Sequence, residues 1–297
     1  PNFPDRYNED YSNWGRMSKN IAHAVKLRTF MHQKNWEEAK KECEILMNKG
    51  YSIYPDYEGL FNSDATTENI WSIPATDGQE NLFLMEVLPG DFKCGFNVKN
   101  RRYIRGTEDN YLSGWYVYCM RWDFYDTFED FDKRKETILC EYENTSGERV
   151  GRDKMVGALP IKFMDSEFAT ATCGQAFPVI RYAEVLMDYA EILNELEGPV
   201  PQAFDVLKPI LERAGVVIPD EAKKSKENFK EFLLAERGRE FYCEGSRRTD
   251  LIRYGKFISG AKSRGKNAYD YQELFPIPSW VIIEAGGKIE QNPGYSN

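Results

Sequence analysis

Arg181-Tyr182-Ala183-Glu184-Val185-Leu186-Met187-Asp188-Tyr189-Ala190-Glu191-Ile192-Leu193-Asn194-Glu195 places Tyr182, Ala183, Leu186, Ala190 and Leu193 at helical spacing. Apolar residues recurring three and four apart mark one face of an α-helix. The pattern predicts a helix from Val179 to Glu197, broken by Gly198-Pro199-Val200-Pro201. Helical spacing resumes over Gln202–Ala214 with Ala203, Val206, Leu207, Ile210 and Leu211. Pro209 lies inside that stretch and should kink it, and Gly215 closes it. A third helix is expected from about Lys226 to Cys243, carrying Phe229, Phe232, Leu233, Glu236, Glu240 and Phe241.

A similar pair stands near the start. Ile21, Ala24, Val25, Leu27, Phe30 and Met31 recur with helical period within Ser18–Asn48. Gln33-Lys34-Asn35 interrupts, and a second helix opens at Trp36 with Ala39, Cys43 and Leu46 on one face. Gly50 is expected to close it, as a glycine past a helix end does. Small Ala24 and Ala39 at the crossing make this hairpin, residues 18–50, resemble a tetratricopeptide unit. Such repeats bury their faces only by stacking, and roughly three are needed for stability. Two hairpins are visible, so earlier repeats are expected to lie outside this chain. Pro1-Asn2-Phe3-Pro4-Asp5 reads as a loop with no signal peptide, which suits a segment entered midway.

Between the hairpins, residues 51–177 have little helical period and are rich in Gly, Asn, Asp and aromatics. A stretch this long is an insertion with structure of its own. Ile70–Ile73 and Asn81–Val87 are expected as short strands, and Trp115–Phe131 is expected to hold a helix. Residues 178–297 carry the second hairpin, the charged helix and, from Tyr269, an extended coil packed on the helices. The expected fold is therefore mainly α: tetratricopeptide-like hairpins with a large irregular, aromatic-rich insertion, in one domain spanning 1–297.

Composition limits the function. The 297 residues are 41% hydrophobic and 29% charged, which excludes global disorder. No apolar run is long enough for a transmembrane helix. The net charge of −9 argues against a nucleic-acid partner. With only two histidines, His23 and His32, and no CxxC or HExxH, no metal site of the usual spacing is expected. Six scattered cysteines read as small buried hydrophobes rather than a disulfide scaffold. GxGxxG, GxxxxGK[ST] and GxSxG are all missing, so the common nucleotide-cofactor and hydrolase signatures are absent. Carboxylates are plentiful, and a glycosidase pair must be weighed. Glu236, Glu240 and Glu244 repeat every four residues, but Arg237, Arg239, Arg247 and Arg248 surround them. Carboxylates crowded by arginine have lowered pKa values and make poor general acids.

Aromatic residues reach 14% of the chain, and their density peaks in one stretch. Tyr103, Tyr111, Trp115, Tyr116, Tyr118, Trp122, Phe124 and Tyr125 are interleaved with Arg101, Arg102, Arg105, Asp109, Asn110, Arg121 and Asp123. A sugar ring offers an apolar C–H face rimmed by hydroxyls. A flat aromatic under the face, with charged or amide groups at the edge, is the matching surface. The candidate ligand residues are Trp115, Trp122, Tyr111, Tyr116, Tyr125, Arg121 and Asp123; rings not used for ligand fill the insertion's core.

The chain resembles the RagB/SusD family. Arg181–Leu186 with Tyr189–Glu195 is similar to the family's RYAEVLL…YAEALNE stretch. Glu236-Arg237-Gly238-Arg239-Glu240-Phe241, followed by Glu244–Lys256, resembles its second conserved stretch. Leu274-Phe275-Pro276-Ile277-Pro278 and Gln291-Asn292-Pro293-Gly294-Tyr295 resemble its closing motifs. Gly15-Arg16-Met17 and Asp132-Lys133-Arg134 add support. These motifs stand in the family's order and belong to its C-terminal part.

The resemblance implies an outer-membrane lipoprotein of Bacteroidetes, exposed at the cell surface and held by a lipid anchor not present in this chain. It implies a nutrient-uptake role: capture of oligosaccharide, or in some members peptide, for a SusC-like TonB-dependent transporter. It implies no enzyme, no catalytic residue and no cofactor. Arg181, Glu236, Arg239, Glu240, Arg247 and Asp250 are then read as a charged network tying the helices together. No ligand residue carries over by motif: Gly114-Trp115 is similar to a GWNG stretch of some members, but Tyr116-Val117 replace its Asn-Gly. Two rival readings remain at this stage. One is a helical-repeat adaptor that binds only protein or peptide. The other is a glycoside hydrolase, motivated by the carboxylates alone.

Overall fold

The computed structural model describes residues 3–7, 10, 12–63, 65–75, 82–107, 110–163 and 176–296. Cys173, Asp109, Asn81 and the first two residues lie outside them, and for residues 106, 107, 110 and 111 only the backbone is described. The chain divides into two compact units, Pro1–Glu244 and Gly245–Asn297.

In chain order the first unit contains helices α1 (Lys19–Gln33), α2 (Trp36–Met47) and α3 (Tyr57–Phe61), strand β1 (Asn69–Ile73), helix α4 (Phe83–Val87) and strands β2 (Phe92–Asn97), β3 (Arg102–Ile104), β4 (Gly106–Thr107) and β5 (Asn110–Tyr111). Helix α5 (Trp122–Tyr125), a 3-10 turn at Lys133–Thr137, and strands β6 (Ile138–Asn144), β7 (Arg149–Val150), β8 (Leu159–Pro160) and β9 (Phe177–Arg181) follow. Helices α6 (Tyr182–Glu197), α7 (Pro201–Asp205), α8 (Lys208–Ala214) and α9 (Lys226–Glu240) close the unit.

The α1–α2 hairpin forms as its period demands. Ser18 caps α1, its hydroxyl accepting from the Ile21 N–H. Lys34 takes φ 55° and turns the chain. Ala24 and Ala39 are both buried, and small side chains there let the helices approach closely. α2 ends at Met47, with Asn48 as its cap; Gly50, at φ 73°, belongs to the turn beyond.

α6 is the central helix: every residue from Tyr182 to Asn194 is buried. An all-round buried helix must pair its polar groups. Glu184 receives both ends of the Arg28 guanidinium at 2.7 Å, Asp188 pairs with Arg237 at 2.7 Å, and the Asn194 amide donates to the Lys226 carbonyl at 3.0 Å. Leu27, Leu46, Leu193, Ile210, Phe229 and Leu233 complete the core around it. The stretch expected as one kinked helix over 202–214 is two short helices, and Pro209 sits in the first turn of α8, where its missing N–H costs nothing. α9 stops at Glu240 rather than reaching Cys243, which adopts φ 61°.

The insertion departs further from expectation. β1 forms as expected and pairs antiparallel with β9. Asn81–Val87, expected as a strand, instead contains helix α4, with Leu84 and Val87 buried one turn apart. A short apolar run does not distinguish the two states by period. Trp115–Phe131 holds only the four-residue α5, because the preceding segment gives its N–H groups to α4 and Met120 bridges Ala158. A five-stranded antiparallel sheet, in the order β3-β2-β6-β7 with β8 also on β6, was not anticipated. Phe92, Leu139, Tyr142 and Leu159 build its core with Leu84 and Leu88.

The second unit holds α10 (Arg247–Arg253), α11 (Phe257–Ser263), a 3-10 turn at Asp270–Glu273 and α12 (Ser279–Glu284). The tail expected as extended coil thus contains two helical turns. Tyr271 stands edge-on to Tyr295 and stacks on Tyr269. The Tyr295 hydroxyl donates to the Leu274 carbonyl at 2.8 Å, and the Gln291 side chain bonds both backbone groups of Ile277. No described helix is long and apolar enough to cross a membrane.

Candidate ligand surface and the ion network beneath it

The aromatic stretch separates into an outer and an inner set. Gly114 to Tyr118 runs across the C-terminal end of α4. The N–H groups of Trp115, Tyr116, Val117 and Tyr118 donate to the carbonyls of Met85, Leu88, Glu86 and Glu86, at 2.6, 3.1, 2.7 and 2.9 Å. Helix ends leave carbonyls without intrahelical partners, and this segment satisfies them. Only glycine fits at position 114: a Cβ there would lie 2.4 Å from the Leu88 carbonyl oxygen and 2.5 Å from that of Met85. Tyr116 takes φ 54°, a strained conformation for an aromatic residue. Its hydroxyl accepts from the Val156 N–H at 3.2 Å, which fixes the ring.

This clamp turns Trp115 and Tyr118 outward, at 58% and 61% exposure, with Val117 and Val156 also exposed. Beside them Arg121 and Asp123 form an exposed ion pair at 2.8 Å. The inner set packs instead. Trp122 donates its indole N–H to the Met155 carbonyl at 3.1 Å and meets Tyr125 edge-on at 5.4 Å. The Arg152 guanidinium lies 4.7 Å over the Trp122 ring and grips Asp126 with two bonds of 2.7 and 2.6 Å. That grip holds the Asp126 carboxyl below the usual carboxylate range. Tyr125 is only 6% exposed, and burial pushes its phenol up. Of the candidates, Trp115, Arg121 and Asp123 face solvent, Tyr116 and Trp122 are half-buried, and Tyr125 is inside. The Tyr111 side chain lies outside the described atoms. Tyr118 was named in the aromatic stretch but not among the ligand candidates, and Val117 and Val156 were not named; all three are exposed beside Trp115.

Beneath the insertion lies a buried ion network. Arg181 pairs with Glu68, with Glu240 at 3.0 Å and with Glu244 at 2.7 Å. Arg213 reaches Glu68 and Glu240, each at 2.6 Å. Arg134 reaches Asp132 at 2.7 Å, Glu236 at 2.6 Å and Glu240 at 3.3 Å, while Arg239 holds the other oxygen of Glu236 at 2.7 Å. Lys162 bonds Glu244 at 2.5 Å and the carbonyls of Glu240 and Tyr242 at 2.9 and 3.0 Å, with the rings of Tyr57, Phe61 and Tyr242 around it. Burial opposes the charge on Glu240, but the facing cations Arg213, Arg181 and Arg134 outweigh it and hold its carboxyl down at about 2. Burial dominates for Lys162 and pushes its ammonium down to about 8.

The network therefore gathers Arg181, Glu236, Arg239 and Glu240. Arg247 and Asp250, the other two residues expected there, lie on α10, where Asp250 pairs with Arg253 at 2.9 Å. Glu68, Lys162 and Arg213 were missed because their partners are remote in sequence. The five described cysteines are free thiols, and no group of three metal-ligating side chains exists among the described residues.

Fold and surface together define a helical-hairpin protein that carries a rigid aromatic ledge on an insertion. The chain matches the SusD family over residues 115–295 and belongs to that family. It is 26% identical over 300 residues to SusD-like protein P25 of Formosa agariphila, covering 89% of this chain and 56% of that protein. It is 29% identical over 126 residues to the starch-binding protein SusD of Bacteroides thetaiotaomicron, covering 40% of this chain and 21% of that one. Two solved structures share the fold. Surface glycan-binding protein A from Bacteroides thetaiotaomicron in complex with laminarihexaose has a TM-score of 0.73 at 22% identity, over 98% of this chain and 66% of that chain. A laminarin-binding SusD-like protein has a TM-score of 0.77 at 21% identity, over 99% of this chain and 66% of that chain. The chain thus spans between half and two thirds of the length of P25 and of these two structures.

Proposed function

We propose that this chain is the larger part of a cell-surface glycan-binding protein that captures oligosaccharide at the outer membrane and passes it to a SusC-like TonB-dependent transporter. The observation that carries the reading is the Trp115–Tyr118 ledge. Two large aromatic residues face solvent there on backbone whose N–H groups are all hydrogen-bonded, in a protein whose other described rings of this stretch are half-buried or buried. Exposed aromatic rings beside a charged pair suit the face and the hydroxyl rim of a sugar chain. Relatives named for starch, laminarin and laminarihexaose support a neutral glucan as the first ligand to try.

The protein acts by binding and not by catalysis in this reading. Glu236, Glu240 and Glu244 are committed to buried arginine and lysine partners, and a carboxyl held at about 2 does not donate a proton near neutral pH. The test is calorimetric titration with laminarihexaose, maltohexaose and other oligosaccharides. Trp115→Ala is expected to weaken binding by about 0.5–1.5 kcal/mol beyond lost contact area. Binding unchanged by that substitution would remove the ledge from the site. No binding to any glycan, with capture of a transporter retained, would favour the protein-only adaptor.

A further inference from the structure

Glu58 of α3, Arg101 and Arg102 at the start of β3, and Glu136 of the 3-10 turn line a cleft of about 110 Å³ in the first unit. Leu139 of β6 and Ile161 beyond β8, both buried in the sheet's core, border the same space. The volume is several times what one water needs. It is below the roughly 150 Å³ of a cavity that takes a benzene ring whole, so it admits one edge of a six-membered ring.

The walls are set by folding. Asn97 is buried, and its side-chain oxygen accepts the N–H groups of Lys99 and Arg101 at 3.0 and 2.9 Å. Its amide donates to the Glu136 carbonyl at 3.0 Å. Asn100 takes φ 56° and turns the chain between them. The turn thereby brings Arg101 to Glu58, and the two form an ion pair that joins it to α3. Lys99 holds Glu136 at 2.8 Å. These charged groups are open to a ligand: the Arg101 side chain is 49% exposed, and those of Glu58 and Glu136 are 31% and 26% exposed.

Two carboxylates and two guanidiniums line the cleft, so their formal charges cancel and favour a neutral ligand. A carboxylate only accepts and a guanidinium only donates. A vicinal diol answers both: one hydroxyl donates to the carboxylate while its neighbour accepts from the guanidinium, and the ion pair need not part. The carbons that carry the two hydroxyls present C–H surface, which gains by leaving water for Leu139 and Ile161.

We propose that this cleft binds one neutral pyranose unit through a vicinal diol, held on the Glu58–Arg101 pair with its C–H edge against Leu139 and Ile161. The site is additional to the Trp115 ledge and does not depend on it. A zwitterionic amino acid is the rival ligand, because its carboxylate and ammonium could replace the two halves of the pair.

The experiment follows the backbone ¹⁵N–¹H signals of Arg101 and Arg102 in the intact 297-residue chain. The titrants are methyl glucoside, methyl mannoside and methyl galactoside, with glycine and leucine as zwitterionic controls. The expected result is a saturable shift of both signals by at least one glycoside and none by the amino acids. Binding should be about tenfold weaker in Glu58→Gln, which keeps the shape of the side chain and removes its charge. Arg101→Gln removes the other half of the pair and should weaken binding equally, read at Arg102, so either variant alone reports the contact. Signals that ignore every glycoside, that shift without saturating, or that respond equally in both variants overturn the proposal. A shift by the amino acids alone overturns it in favour of the zwitterion. The Trp115 indole signal, followed in the same spectra, reports the ledge, so failure of either site is read apart from the other.

Discussion

The buried ion network and the Trp115 ledge are built from the same residue classes under opposite conditions. In the network, Arg181, Arg213 and Glu240 are almost wholly removed from water and each meets several partners. Its charges answer one another, so the insertion and helices meet in one geometry. On the ledge, Arg121 and Asp123 are exposed and pair with each other at 2.8 Å, and Trp115 and Tyr118 beside them are exposed. Desolvation makes the first set costly to disturb and the second cheap. If the proposed ledge binds glycan, stability and recognition fall on different side chains.

The largest expected break is Arg181→Ala. It strands Glu68, Glu240 and Glu244 in the interior and should destabilise the fold by about 3–5 kcal/mol, read from urea unfolding. A loss below about 1 kcal/mol, the range of surface pairs, would dissolve the contrast.

Next comes pH. The folded pKa of Glu240 is lowered from 4.5 to about 2, so its contribution is complete above pH 4.5 and is lost as pH falls towards 2. The shift corresponds to an order of 3 kcal/mol, to be measured as the difference between the native chain and Glu240→Gln at each pH. Lys162 runs the other way. Its folded pKa is lowered from 10.5 to about 8, so between those values the unfolded chain holds more protons and stability rises with pH. Compared with Lys162→Met, that rise should disappear; a flat difference would deny that the buried ammonium is strained.

Gly114→Ala tests the ledge from behind. The added methyl meets two carbonyl oxygens and should cost about 1–3 kcal/mol in folding. Glycan binding should fall even though no ligand-facing side chain has changed. The smallest effect belongs to Arg121→Ala, expected to leave stability within about 0.5 kcal/mol, read from the same urea curves. A larger loss would mean the exposed pair carries structure.

The helices were legible because their evidence is local. Ala24, Ala39 and the Tyr182–Leu193 periodicity each declare a face within a few turns of chain. The sheet was not legible: Phe92–Asn97 contains Gly95, and its register is set by Glu141, Tyr142 and Glu143 far along the chain. The network was half legible. Arg181 and Glu240 stand in recognisable stretches, whereas Arg213 and Glu68 are 145 residues apart and no spacing rule joins them. The aromatic cluster announced its region but not its sidedness. Whether a ring faces water depends on the α4 carbonyls that bind Trp115 to Tyr118, and those residues had been read as a strand.

The clamp on that segment also sets a tempo. Backbone already immobilised by folding has little freedom left to lose when a glycan arrives, so encounter need not wait for a loop to rearrange. Trp115 and Tyr118, at 58% and 61% exposure, stand open to what lands on them. With an association rate constant of about 10⁶ M⁻¹s⁻¹ and a dissociation constant of about 100 μM, a sugar chain would stay for about 10 ms. A surface that catches readily and lets go within milliseconds is suited to relay and unsuited to storage.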